Sequence, residues 1–218
     1  EINISIASQT QNLTPADEKL YALRDVTATV DSFPLITSSV DSKKIASGAH
    51  TIILDVKYGC GAFMKTPEDA VKLSELMVKI GKKFNKNMFA VITSMEEPLG
   101  RYVGNSLEVM EALEVLKGNL DEDLTYLTYE LAALTLVQLG NYASVDEARE
   151  YLKSVVASKK ALGKFKELII AQGGDPNIID DYSKLPQAKF KEEVLSESEG
   201  YISNINAYKV AHACKLLG

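Results

Sequence analysis

The sequence predicts an α/β fold, part of a mixed or parallel sheet flanked by helices, with a helical hairpin set ahead of it. Three observations carry this. Thr51-Ile52-Ile53-Leu54-Asp55-Val56 is a continuous apolar run of the kind a strand buried on both faces requires. A capped amphipathic helix and a second apolar run, Met88-Phe89-Ala90-Val91-Ile92-Thr93, follow it; strand–helix–strand order implies a parallel crossover. Between Pro15 and Ala46 the pattern is helical throughout, broken once.

In chain order, Ile2-Asn3-Ile4-Ser5-Ile6 alternates apolar and polar residues, which predicts a strand. Thr14-Pro15-Ala16-Asp17 then opens a helix: Thr14 is placed to cap, Pro15 suits the first helical position and Asp17 suits the positive end of the dipole. Leu20, Leu23 and Ala28 give that helix an apolar side. A second helix is predicted from Pro34 to about Ala46, with Leu35, Ile36, Val40 and Ile45 inward and Gly48 as its stop. After the first buried strand, Thr66-Pro67-Glu68-Asp69 caps a helix whose inward side is Ala70, Leu73, Leu76, Met77 and Ile80, with Gly81 fraying its end. Further helices are expected from Ser106 to Gly118, from Leu124 to Leu139, from the Ser144/Glu147 capping box through Val156, from Ala161 to Ala171, and from Ala207 to Leu217. Residues 190–205 alternate again and are read as a return to strand.

Composition narrows the function. Of the 218 residues 46% are hydrophobic, which supports a real core. Thirty acidic residues against twenty-four Lys and Arg give a net charge of −6, which argues against a sequence-blind nucleic-acid binder. No apolar run approaches the about 20 residues that span a bilayer, so no membrane partner is expected. Two cysteines, Cys60 and Cys214, cannot staple a secreted fold, and a reducing cytoplasm is the easier setting.

Several residues carry chemistry. Ser39 and Lys43 stand four apart on one helix and share a face; Arg24 lies on the preceding helix. Two cations and a hydroxyl can converge there on carbonyl or carboxylate oxygens, and the alternative is a solvated face beside Asp41 and Lys44. Tyr58-Gly59-Cys60-Gly61 follows a buried strand, where α/β ligand sites collect, but lacks the third glycine of a dinucleotide fingerprint. Asp55 and Lys57 at the end of that strand read as site residues or as a pair tethering the loop. Glu111, with nearby loop carbonyls, offers hard-oxygen ligation for a cation, against the alternative of an exposed helix glutamate. His50 and His212 have no metal-ligand spacing, and neither cysteine has the setting of a nucleophile.

The run Leu20-Tyr21-Ala22-Leu23-Arg24-Asp25-Val26-Thr27-Ala28-Thr29-Val30, with Pro34-Leu35-Ile36, Ser38-Ser39 and Ser42-Lys43-Lys44-Ile45-Ala46-Ser47-Gly48, resembles the thymidine/pyrimidine-nucleoside phosphorylase family. So do Leu54-Asp55-Val56-Lys57, Gly61-Ala62-Phe63-Met64-Lys65-Thr66, Pro98-Leu99-Gly100-Arg101, Val103-Gly104-Asn105 and Gln172-Gly173-Gly174-Asp175-Pro176. The resemblance implies a small all-α domain that holds the pyrimidine and a larger α/β domain that holds phosphate. On that basis residues 1–14 are an α/β strand and hinge, 15–48 a hairpin of the helical domain and 49–218 the α/β domain, with hinge crossings near 9–14 and 47–50.

The same resemblance implies roles. Arg24 and Lys43 contact pyrimidine carbonyl oxygens and act on the leaving base, Ser39 hydrogen-bonds the base, and Tyr21 lies beside it. A monovalent cation, K+ in expectation, is held by the carbonyls of Leu99 and Tyr102 and the carboxylate of Glu111; no organic cofactor is expected. The implied reaction is reversible phosphorolysis of a pyrimidine nucleoside by a homodimeric salvage enzyme. Because the chain opens at Glu1 without Met and the family's glycine-rich phosphate segment is expected upstream of it, the chain reads as an internal fragment, inactive alone. The alternatives are a related phosphorylase for another nucleoside or nucleotide, and a non-catalytic α/β binding module.

Overall fold

The computed structural model describes residues 1–6, 13–119 and 122–217; most of the hinge stretch expected at 9–14 lies outside these. The chain divides into two compact units, Ile6–Glu96 with Leu134–Ala143, and Glu1–Ser5 with Glu97–Ala133 and Ser144–Gly218.

The first unit contains α1 (Pro15–Thr27), α2 (Phe33–Ala46), β1 (Thr51–Tyr58), α3 (Pro67–Lys83) and β2 (Asn87–Ser94). β1 and β2 pair in parallel, from Thr51 opposite Asn87 to Tyr58 opposite Ser94, and α3 makes the crossover. The local chemistry of α3 is well matched to its ends. Thr66 Oγ1 accepts from the Asp69 amide at 3.2 Å, Pro67 occupies the first turn with Glu68 and Asp69, and Lys82 and Lys83 lie in the last turn. Ala70, Leu73 and Met77 of α3 pack with Ile52, Leu54 and Val56 of β1, Met88 of β2, Met64 of the loop between, and Ile36 of α2. Each large apolar side chain so buried contributes about 1.5–3 kcal/mol.

β1 is buried on one face only. Ile52, Leu54 and Val56 are covered while Asp55 is exposed, because the helical side chains in this core meet a single face of the two-stranded sheet. The expectation of burial on both faces is corrected accordingly.

Gly81 is not a frayed end. It lies inside α3 and is buried, and a Cβ there would stand 2.8 Å from Met88 Cβ. The helix and β2 approach so closely that only hydrogen fits. Gly81→Ala should therefore destabilise this unit by about 1–3 kcal/mol, the usual cost of overpacking, despite alanine's better helix propensity; urea unfolding of the full-length protein checks it, and an unchanged or raised midpoint would contradict it.

α1 leaves its apolar side exposed. Leu20 and Leu23 are each 55% exposed and Val26 is 80% exposed, whereas Arg24 is 5% exposed. The helix turns a polar residue toward α2 and its leucines outward. Thr14 has φ 54° and makes no side-chain cap; its backbone carbonyl instead accepts from the amides of Asp17 and Glu18.

The second unit contains α4 (Asn105–Lys117), the first part of α5 (Glu122–Gln138), α6 (Val145–Ala157), α7 (Lys160–Ala171) and α8 (Ala207–Leu217). Ser144 Oγ accepts from the Glu147 amide at 3.2 Å and starts α6 as the capping box predicts. Leu113, Val115, Ala148, Val156 and Leu168 are buried. Asp175 and Asp181 cap two short 3-10 turns, Pro176–Ile179 and Tyr182–Lys184.

Two predicted strands do not form. Residues 1–6 carry no strand, and Asn3 has φ 56°, which interrupts the alternation. Residues 186–206 carry neither helix nor strand, and Phe190, Val194, Leu195, Tyr201 and Ile202 are exposed. Both segments have the right side-chain alternation but no neighbouring strand to complete a ladder: the only sheet among the described residues is β1–β2. No described helix is long and apolar enough to cross a membrane.

Candidate active site

The α1–α2 hairpin collects the polar residues the sequence singled out. Lys43, near the end of α2, donates from Nζ to Ser39 Oγ at 3.1 Å, the contact that their four-residue spacing allows. The same ammonium lies 2.9 Å from Oδ2 of Asp17, at the start of α1. Ser39 is buried, and the Lys43 and Asp17 side chains are 24% and 10% exposed. Ser39 and Lys43 are thus brought together, and Asp17 completes the group.

Arg24 is held toward the turn of the hairpin. Its Nη1 donates to the Leu35 carbonyl at 3.4 Å and its Nη2 to the Val30 carbonyl. The guanidinium carbon lies 5.1 Å from the Tyr21 ring centroid, a cation–π distance. Arg24 Nε is buried without a hydrogen-bond partner. Tyr21 and Arg24 therefore form one pair and Ser39 and Lys43 another; among the described residues no hydrogen bond joins the two pairs. Lys43 keeps donor capacity beyond its bond to Ser39, whereas the unpartnered Nε of Arg24 is itself buried.

Asp41 departs from the sequence reading, which placed it on a solvated face. It is 1% exposed, and neither carboxylate oxygen has a hydrogen-bond partner. Burial pushes its pKa up to about 6. It lies four residues from Thr37, which is also fully buried and donates to the Phe33 carbonyl at 2.8 Å. Positions four apart share a face, so α2 buries a polar stripe beside the one that carries Ser39 and Lys43.

The loop after β1 is closed on itself. The Cys60 amide donates to Glu96 Oε2 at 3.0 Å, the Cys60 thiol donates to the Glu96 carbonyl at 3.0 Å, and Lys65 Nζ donates to the Ala62 carbonyl at 2.7 Å. Asp55 and Lys57 pair at 2.7 Å, and both bond Thr93 Oγ1 on β2. The polar atoms of Asp55 and Lys57 are engaged with one another and with the neighbouring strand, and these contacts lie within the sheet and not in the loop.

Glu111 is not an exposed helix glutamate. It is 6% exposed, and its Oε1 accepts from the Arg101 amide at 2.7 Å. Gly100 has φ 74°, and a Cβ there would stand 2.5 Å from Glu111 Oε2. A glycine is what lets the 99–102 loop fold down onto the carboxylate. Among the described residues no hydrogen bond is made to the carbonyls of Leu99 or Tyr102. A carboxylate and backbone carbonyls are hard oxygen donors, the type that alkali and alkaline-earth ions take. No cluster of three His, Cys, Asp or Glu able to hold a metal occurs among the described residues.

The sequence profile of the glycosyl transferase family, a/b domain, matches residues 1–162. The chain belongs to that glycosyl transferase family. Over 99% of its length the chain is 49% identical to a pyrimidine-nucleoside phosphorylase of Staphylococcus epidermidis, covering 50% of that protein. It is 50% identical to the pyrimidine-nucleoside phosphorylase of Bacillus subtilis, again over 99% of this chain and 50% of the relative. It is 47% identical to the one of Staphylococcus aureus over 100% of this chain and 50% of the relative. The chain thus spans about half the length of the curated relatives it matches.

Two residues of the hairpin, Asp17 and Asp41, are not singled out by the sequence pattern as candidates. Asp17 was read as an answer to the helix dipole alone. Its signal was present: an acid at the start of one helix and a base at the end of the next meet when the two helices pack antiparallel. Asp41 gave no signal, since a charge beside Ser42-Lys43-Lys44 looks solvated until the second face of α2 is known to be covered.

Proposed function

We propose that the full-length polypeptide carrying this chain is a pyrimidine-nucleoside phosphorylase. Phosphate attacks C1′ of the nucleoside, the C1′–N bond breaks, and its electron pair leaves with the base, giving pentose 1-phosphate and, after protonation, free pyrimidine. The observation that carries this reading is the cationic hairpin, Arg24 with Tyr21 and Lys43 with Ser39, in a chain about half identical to proteins bearing that name.

The chemistry needs what the hairpin offers. Negative charge grows on the ring as it departs, and preorganised cations aimed at the carbonyl oxygens stabilise it as it develops. Arg24 presents a planar fork and Lys43 a point charge. Ser39, whose oxygen accepts from Lys43, keeps its own proton to donate to the base. Donors left unpaired by the wrong ring disfavour it strongly.

The Leu99 and Tyr102 carbonyls and the Glu111 carboxylate would hold a potassium ion. When bound, the ion supplies a fixed positive charge that ties the loop to α4. The outward leucines of α1, Leu20 and Leu23, with Val26, support a homodimer built on this face. Two free cysteines and no disulfide support a cytoplasmic role in nucleoside salvage.

The test is base release by the full-length protein from uridine and thymidine, with and without phosphate. Phosphate-dependent release with matching pentose 1-phosphate is expected. Preference for adenosine or AMP, release by water alone, or no turnover would each overturn the reading.

A further inference from the structure

We propose that Asp17 is a positioning residue for Lys43, fixing the direction in which that ammonium donates to a bound base. The inference rests on the reading of the hairpin as the base site. An ammonium on a four-carbon stem is a mobile point charge with three N–H bonds. Here one of them is directed to Ser39 Oγ at 3.1 Å, and the ammonium is also ion-paired with Asp17 Oδ2 at 2.9 Å, without the alignment of a hydrogen bond. The hydrogen bond to Ser39 and the pull of the Asp17 carboxylate together limit the directions in which the other N–H bonds can point. With two anchors on different helices, those directions are set by the packing of α1 on α2 and not by side-chain torsions alone.

The pair is sheltered as well as close. Asp17 Oδ2 is buried, and its side chain is 10% exposed. Oδ2 has no hydrogen-bond partner, and the Lys43 ammonium is the positive charge it faces. Ser39 alone, one turn away on the same helix as Lys43, fixes only one vector. Asp17 supplies the second and balances the charge of a lysine held mostly out of water, which an exposed ion pair would do only weakly. Misdirection of a catalytic cation by about 1 Å costs up to about a hundredfold in rate.

The experiment is a double-mutant cycle in the full-length enzyme, with uridine phosphorolysis and uracil binding by calorimetry as readouts. Asp17→Asn should lower kcat/KM about tenfold to a hundredfold and weaken uracil binding, while in a Lys43→Ala background the same change should alter neither by more than about twofold. Asp17→Glu, which keeps the charge, should recover at least a third of wild-type kcat/KM even if Asp17→Asn folds poorly. Wild-type values for Asp17→Asn, an equal loss with and without Lys43, or failure of Asp17→Glu to rescue would each overturn the proposal. Absence of phosphorolysis in the wild type would instead strike the functional reading beneath it, and uracil binding by the cycle variants would still report on Asp17.

Discussion

Arg24→Ala in the full-length enzyme should lower kcat/KM for uridine by about 10²–10³, the loss typical of removing one preorganised donor to developing charge. Arg24 is 5% exposed and braced by the Val30 and Leu35 carbonyls, with Tyr21 beneath its guanidinium. Its Nε is buried within the hairpin and has no hydrogen-bond partner. Most of the loss should fall on kcat, because the interaction strengthens as charge moves onto the ring. Arg24→Lys keeps the charge but loses the fork, so it should recover only part of the rate. The alanine change also frees two carbonyls at the hairpin turn, and a thermal melt beside the kinetics separates that effect. A kcat/KM within threefold of wild type for Arg24→Ala would remove Arg24 from the mechanism.

The parts of this fold that were legible in the sequence are those set by local chemistry. Thr66-Pro67-Glu68-Asp69 opens α3, and Ser144 with Glu147 opens α6, because capping depends on residues three apart. The β1–α3–β2 crossover was legible because two apolar runs with a capped helix between them allow few topologies. Strand alternation at 2–6 and 190–205 was a poor guide for the opposite reason. A strand exists only beside another strand, and alternation says nothing about whether a partner is in place. Gly81 illustrates the same limit at one residue: its lack of a side chain answers Met88, on a different element, and no local pattern carries that.

The candidate site divides along the same line. Ser39 and Lys43 were readable as one face of a helix, but whether that face meets solvent or a second helix depends on α1. The resemblance supplied their roles, whereas the pattern left two readings open. Arg24 was readable as a second cation on the neighbouring helix, whereas Tyr21 was visible only through the resemblance. α1 buries Arg24 and leaves Leu20, Leu23 and Val26 exposed alongside Glu18 and Lys19, so hydrophobic patterning alone does not say which of its faces is covered. Sequences break local rules where function or a further interface compensates, and both the ion-paired hairpin and the leucine face fit that description.

Asp41→Leu should stabilise the protein at neutral pH by about 3 kcal/mol and remove a pH dependence that wild type carries. A buried carboxyl without partners has its pKa raised from 3.8 to about 6, and at 1.36 kcal/mol per pH unit that gap amounts to about 3 kcal/mol. The sign follows from proton binding. Between these two values the unfolded chain has released the Asp41 proton while the folded chain retains it, so the unfolded state binds fewer protons and stability falls as pH rises. The penalty is absent below about pH 4, grows through the window from about 4 to 6, and is constant above about 7. Other carboxylates titrate in the same range, but they do so in both proteins and cancel in the difference. Urea unfolding of wild type and Asp41→Leu at pH 4.5, 6 and 7.5 should therefore show a gap that widens with pH. Asp41→Asn, which keeps the shape and cannot ionise, should show the same widening with a smaller absolute gain, because its amide is still buried without partners. A difference that is flat across the three pH values would mean that Asp41 finds a partner or water in solution, and its burial in α2 would then carry no electrostatic cost.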